Sequence, residues 1–547
     1  MFSHRTGRYQ GMAFDREGET YEGLQFAIAL GMAFMESSGI RKMIGNEVPE
    51  ENAHLSTDMA AKAMIGTMYS EGMRKALYGV HATYAAAPVD KLFGPRVKHT
   101  SLSDTTLAKR LDAIFPIEMD EMIWKSRDLL CSTYSLGSDV FTMDATNFPF
   151  YGIGYNDRDD DGAMPKYSKN SKTKRNDLMQ KCVQGICDGN GVLAYTRTYD
   201  GNTSDVKMNR DSLEFLKERV DCSRSTVSGD CKMCTFDLIK EMMTMNMGFV
   251  TKVPSSFSYK VRDDVITSAL AEGMHESNGR HLFDTENEVK DEKNGLGTMM
   301  RFVAYRLPDS VQEAEAFLRG HGLKDMTKRM TSLKRNAYFC EEDAVKAFSE
   351  TLNGGYAQTY NATAGYVSDE RLIKKDPDGP HWRIRPGDVT VNENAIAGCA
   401  DRYSVNVLIT NLPKSKDNAV NLRNGANADG IVNMYLSNFR TEHSFKLLKS
   451  GTGMARMFLH TPSRQDAVVF LSSLATTMSN VINAVLKRNG IGMTMKHISK
   501  FMMTSIVRYD RDNDRKFITG GPGASKTGLK ITDALNVDPE LLLGYVR

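Results

Sequence analysis

Val140-Phe141-Thr142-Met143-Asp144-Ala145-Thr146-Asn147-Phe148 is a strand with a carboxylate in its middle. The β-branched and aromatic residues favour a pleated, packed chain. A charge inside such a strand is costly unless a partner or a metal ion compensates it. Outward from Asp144, residues 178–188 and 191–199 read as two more strands. Asp188-Gly189-Asn190-Gly191 joins them, a hairpin signal. A helix over 208–220, a strand over 225–230, a helix over 236–247 and a strand over 248–253 follow. Three strands, helix, strand, helix, strand predict a mixed α/β sheet.

The flanks read differently. Residues 20–130 are mostly helical: an apolar helix over 24–35 ends at Ser37-Ser38-Gly39, and a second covers 58–78. Ser103 or Asp104 caps a third, whose apolar face is Leu107, Leu111 and Ile114. Short helices in series fit either a helix-turn-helix-like DNA module or a plain helical domain. Residues 258–410 read as an inserted domain, with charged helices near 311–319 and 341–352 and strand-like runs at 381–385 and 404–410. Long helices follow over 427–449 and 464–486. The resulting division is 1–130, 131–257, 258–410, 411–490 and a tail, 491–547.

Composition bounds the rest. The 547 residues are 41% hydrophobic and 25% charged, ordinary for a globular protein with room for a sizeable core. A formal net charge of +2 does not announce a nucleic-acid binder, so any DNA surface must come from local basic clusters. Met1-Phe2-Ser3-His4-Arg5 opens no apolar run, and the uncharged stretch 467–486 carries too many Ser, Thr and Asn residues for a lipid span. The expectation is a cytoplasmic protein with no membrane segment and eight free cysteines.

Two further carboxylates stand out. Asp230 ends the strand 225–230, and loops after strand carboxyl ends are where α/β folds place ligands. Glu442 lies on the helix expected over 427–449, where Tyr435, Glu442 and Lys449 recur every seven residues. Seven residues return to one helix face with about 20° of drift. Asn438 and Phe445 share that face. A lone Asp at a strand end is usually a cap, and a lone helical Glu is usually solvated; it is the combination that suggests a site. Lys166, Lys169, Lys172, Lys174 and Arg175 fall within ten residues after the Asp144 strand. Such a run is either a solvated loop or a phosphate-neutralising one.

These residues resemble the Asp-Asp-Glu transposases of prokaryotic insertion sequences. The subgroup carries its third acid in a Tyr-x-x-Arg-x-x-x-Glu-x-x-x-x-x-x-Lys signature, matched here by Tyr435, Glu442 and Lys449. Asn438 stands at the signature Arg position, with Arg440 two residues on. Asp144-Ala145-Thr146 is similar to the family's first-acid strand. Tyr167-Ser168-Lys169 with Lys174-Arg175-Asn176-Asp177 looks like its basic loop, and Gly201-Asn202-Thr203-Ser204-Asp205 like its turn after the third strand. Asp230, a helix and Gly248-Phe249-Val250 resemble the second-acid region, with Lys232 or Met233 where glycine is common.

The resemblance implies a ribonuclease H-like mixed-sheet core with a large insertion between the second and third acids, and a helical N-terminal DNA-binding region. It implies two Mg²⁺ or Mn²⁺ ions held by Asp144, Asp230 and Glu442, hard cations that prefer carboxylate oxygens. It implies cleavage at the ends of a mobile element and 3′-hydroxyl transfer into target DNA. Double-stranded DNA is the implied partner, with two copies of the chain pairing two ends. Tyr435, Asn438, Arg440, Lys449 and the basic loop would contact DNA. A copy that binds without cutting, and a metal-dependent nuclease that does not join, are the alternatives.

Three other signals are set aside. Asp157-Arg-Asp159-Asp-Asp161-Gly162 opens like a calcium loop but has Ser168 at the twelfth position. Gly520 to Thr527 approaches a phosphate-binding loop, but Ser525 replaces the required glycine. Cys231 and Cys234 form a lone Cys-x-x-Cys without a well-spaced second pair.

Overall fold

A computed structural model describes residues 22–48, 54–70, 77–150, 160–168, 179–254, 257, 259–290, 297–353, 356–418, 424–451, 459–502, 504–520 and 524–544. The chain forms two units. The first comprises Met1–Met233, Leu238–Met247 and Leu436–Arg547; the second comprises Cys234–Asp237 and Gly248–Tyr435.

In the first unit, Val140–Phe150 lies between Met179–Asp188, antiparallel to it, and Thr226–Gly229, parallel to it. Leu193–Tyr199 and the short Lys166–Tyr167 both pair with Met179–Asp188. The sheet is mixed, as the sequence predicts. Strand side chains alternate between faces. On one face Phe148, Phe150, Met179 and Val183 cluster with Phe445, Leu448 and Val469. On the other, Ala145, Cys182 and Tyr199 meet Met208 of helix Asp205–Lys217.

The helix Pro462–Arg488 is the centre of this unit. It is long and apolar enough to span a membrane by composition, yet 20 of its residues are buried against protein. Three of its hydroxyls are satisfied within the helix: Ser473, Thr476 and Ser479 each donate to the carbonyl four residues back, at 2.8 Å. Lys181 donates to Asp466 at 2.6 Å, a buried ion pair between sheet and helix. Helices Phe26–Ser37, Thr57–Met68 and Asp104–Ile114 share one hydrophobic cluster with this helix, Phe34, Ile65, Leu107 and Leu111 joining Leu474 and Met478. Ser103 caps the third helix as expected, accepting from the Thr106 N–H at 3.3 Å.

The second unit has strands in the order Gly248–Lys252, Asn406–Thr410, Gly297–Arg306, Arg280–Lys290 and His275–Ser277. A separate hairpin, Tyr360–Ser368 with Trp382–Val391, packs on helices Leu323–Leu333 and Glu341–Leu352 through Met326, Met330, Ala344 and Ile384. Arg280–Lys290 and Gly297–Arg306 were not anticipated; acidic residues at 284, 286 and 288 mask the strand signal in the first. The continuous helix expected over 427–449 is instead Ala428–Leu436, a turn at Ser437 and Asn438, then Phe439–Lys446 and a π-turn Leu447–Gly451.

Candidate active site

Strand register sets the first two acids side by side. Met143 pairs with Gly229 in the parallel ladder, and Asp144 and Asp230 each follow by one residue. Asp144 is half-buried in mid-strand, and its Oδ1 accepts from the Ala145 N–H at 2.8 Å. Asp230 is exposed just beyond its strand, its Oδ1 accepting from the Lys232 N–H at 2.8 Å.

The third acid arrives on a docked helix. Thr441 of Phe439–Lys446 hydrogen-bonds the Thr142 hydroxyl, two residues before Asp144. Phe445 packs with Phe148, four residues after it. Opposite Asp144 on the neighbouring strand stands Gly185, where a Cβ would come within 2.7 Å of the Phe445 ring. Arg440 donates to the Gly189 carbonyl of the hairpin turn. Asn480 holds the same turn, donating to Gly191 O at 2.6 Å and to Ser444 Oγ at 2.8 Å. Glu442 is exposed between these anchors.

Electrostatics reports their proximity. Burial first, then the negative charges of Asp230, Glu442 and Asp205, push the Asp144 carboxyl up to about 7; the Ala145 N–H opposes them. Asp230 is also raised, by desolvation and by Asp205, against the Lys232 N–H and ammonium. Asp205, whose negative charge bears on both Asp144 and Asp230, lies 3.5 Å from the Lys232 ammonium. Sequence reading had placed it only in a turn. Its signal was there: Ser204 caps the helix that Asp205 begins, accepting from the Lys207 N–H at 3.3 Å.

The other expected residues divide. Lys449 sits in the π-turn, which breaks the seven-residue repeat, and its ammonium lies 5.2 Å above the Phe148 ring. Tyr435 belongs to the second unit, its ring 6.5 Å from that of Tyr305. Asn438 precedes the Glu442 helix, with its Oδ1 buried and without a hydrogen-bond partner among the described residues. Lys166 is in the short edge strand; Lys169, Lys172, Lys174 and Arg175 lie outside the described residues. A cavity of about 690 Å³ is lined by Phe439, Arg440 and His443 of the Glu442 helix together with Asn480 and Lys487. Burial, then Lys446 and Lys496, lowers the His443 pKa.

Among the described residues, Asp144, Asp230 and Glu442 included, no group of three or more His, Cys, Asp or Glu side chains is placed to hold a metal ion. Asp160, part of the calcium-like run, serves another purpose: it accepts from Ser463 N at 2.8 Å and Ser463 Oγ at 3.0 Å at the start of Pro462–Arg488. Among the described residues, no disulfide joins any of the eight cysteines.

A family model described as a transposase DDE domain matches residues 135–478, well over half of the chain. A second, described as a domain of unknown function (DUF4277), matches residues 28–125. Among curated proteins none matches.

Proposed function

Because the chain belongs to the transposase DDE-domain family, we propose that it cuts DNA at the ends of its own mobile element and joins the freed 3′-hydroxyl to target DNA. The observation that carries this reading is the parallel register of Asp144 and Asp230, with the Glu442 helix pinned across the same strand. In this reading the first unit's mixed sheet is a ribonuclease H-like core.

The donor set suits Mg²⁺ or Mn²⁺. Mg²⁺ keeps several waters and takes one or two carboxylates plus substrate phosphates, so substrate DNA would complete the coordination. Burial and the neighbouring negative charges push Asp144 up, and bound cations would offset both. Asp144, Asp230 and Glu442 would hold two ions. Such a pair supplies activation of the attacking hydroxyl and stabilisation of the leaving oxygen.

The protein's own groups do the positioning. Thr142, Thr441, Phe445 and Gly185 fix the Glu442 helix over the strand. Arg440 and Asn480 hold the hairpin turn beneath it. Lys166 and Lys449 would meet phosphates at the site's edges. Two copies would act together, since two element ends must be paired.

The test is cleavage of an element-end duplex with Mg²⁺ by the native protein and by Asp144→Ala, Asp230→Ala and Glu442→Ala. Native cleavage, and variants that bind DNA but do not cut, support the proposal. Native binding without cleavage overturns it, and cutting by Asp230→Ala removes Asp230 from the site. Gel filtration with paired ends tests the dimer; a strictly monomeric complex excludes it.

A further inference from the structure

Helix Leu323–Leu333 is two-faced. Leu323, Met326, Met330 and Leu333 pack into the hairpin core of the second unit. Its opposite side is exposed and basic. Lys324 and Lys328 lie one turn apart there, and Lys334 and Arg335 follow at the helix end. The helix's single acid, Asp325, is engaged elsewhere: it accepts from Arg329 at 2.9 Å and from the Tyr356 hydroxyl at 2.7 Å. Among the described residues, no ion pair engages Lys324, Lys328, Lys334 or Arg335. Charge is segregated within the same small core, because the neighbouring helix Glu341–Leu352 opens with Glu341, Glu342 and Asp343, all exposed.

Helix stability does not account for the basic face. Cations in a last turn complement the helix dipole, which covers Lys334 and Arg335. Lys324 and Lys328 sit in mid-helix, since the π-turn Leu318–Gly322 joins their helix to Ser310–Phe317. There the dipole offers them little, and repulsion one turn apart is mildly unfavourable. A row of unpaired cations about 16 Å long, at 1.5 Å rise per residue, matches the scale of a few successive phosphates.

We propose that this face binds the phosphate backbone of duplex DNA, without reading sequence, as a second contact surface remote in sequence from the three acids. The proposal rests on the transposase reading for its choice of polyanion. Phosphate contacts position a protein on DNA and carry no sequence information.

The test is the salt dependence of binding to a mixed-sequence DNA duplex, by fluorescence anisotropy, for the full chain. Lys324→Ala/Lys328→Ala/Arg335→Ala should flatten the slope of log K against log salt by roughly 0.9 for each cation that met a phosphate. At low salt it should bind at least about tenfold more weakly. Lys346→Ala, which removes one charge from the acidic helix, should leave the slope unchanged. If the triple variant does not fold, Lys324→Gln/Lys328→Gln carries the same test. An unchanged slope in a native-like variant overturns the proposal while native cleavage leaves the transposase reading intact. Loss of RNA binding with duplex binding retained also overturns it. A native chain that binds no DNA overturns both.

Discussion

Gly185 stands directly across the sheet from Asp144, and the place where its side chain would be is filled by the Phe445 ring. The helix carrying Glu442 can approach the Asp144 strand because its neighbour has no Cβ. Gly185→Ala puts a methyl 2.7 Å from Phe445 Cε1. The ring must shift, and overpacking of this kind costs about 1–3 kcal/mol. The expected outcome is a folded protein whose DNA cleavage falls far more than its DNA binding. Adding Phe445→Leu should restore part of the cleavage. Equal loss of both activities would mean that the glycine serves the fold alone.

Asp144 gives a pH dependence. Its folded pKa, about 7, lies above the ordinary carboxyl value of 3.8. Between these values the folded state holds a proton that the unfolded state has released, so this group's contribution to stability falls as pH rises from about 4 to about 7. In EDTA, Asp144→Asn should therefore be more stable than the native protein at pH 8, with the difference vanishing near pH 4. Thermal unfolding at both pH values checks this. A variant less stable at pH 8 would show that the carboxylate is compensated in the metal-free fold.

Much of this was legible in the sequence, for stated reasons. The Asp144 strand, its hairpin partner and the long helix after it have clear periods and turn residues, and each formed close to its expected bounds. What period cannot show is interruption. Tyr435, Asn438 and Glu442 read as one helical face, but the chain turns at Ser437 and Asn438. Nor does a single chain's pattern show register: that Asp230 sits beside Asp144 follows from Met143 pairing with Gly229. Gly185 and the Thr142–Thr441 contact were invisible because each matters through residues far away in sequence.

Asp160 tests the calcium-like run against the cap that the structure shows. Its carboxylate accepts from Ser463 N, Ser463 Oγ and Gly162 N. Asp160→Ala removes a helix cap, with an expected cost of about 1 kcal/mol. Chemical denaturation should show that loss in the native and variant pair, and added Ca²⁺ should stabilise neither. Stabilisation of the native protein alone by Ca²⁺ would restore the metal-loop reading.

Lys62 is fully buried and ties distant segments together, donating to Glu36 at 2.7 Å, to Leu92 O at 2.9 Å and to Gly544 O at 3.0 Å. Lys62→Met removes a donor from both carbonyls and a cation from the buried Glu36 carboxylate. Removing one partner of a buried pair typically costs about 3–5 kcal/mol, so a large fall in stability is expected at neutral pH. Burial also lowers the Lys62 pKa from 10.5 to about 8, against the pull of Glu36. Between these values the unfolded chain keeps a proton that the folded chain has lost, so this group's contribution to stability grows as pH rises from about 8 to about 10.5. The gap in unfolding free energy between native protein and Lys62→Met should widen over that window. A gap that narrows instead would mean that Glu36 and the two carbonyls hold the ammonium charged well above pH 8.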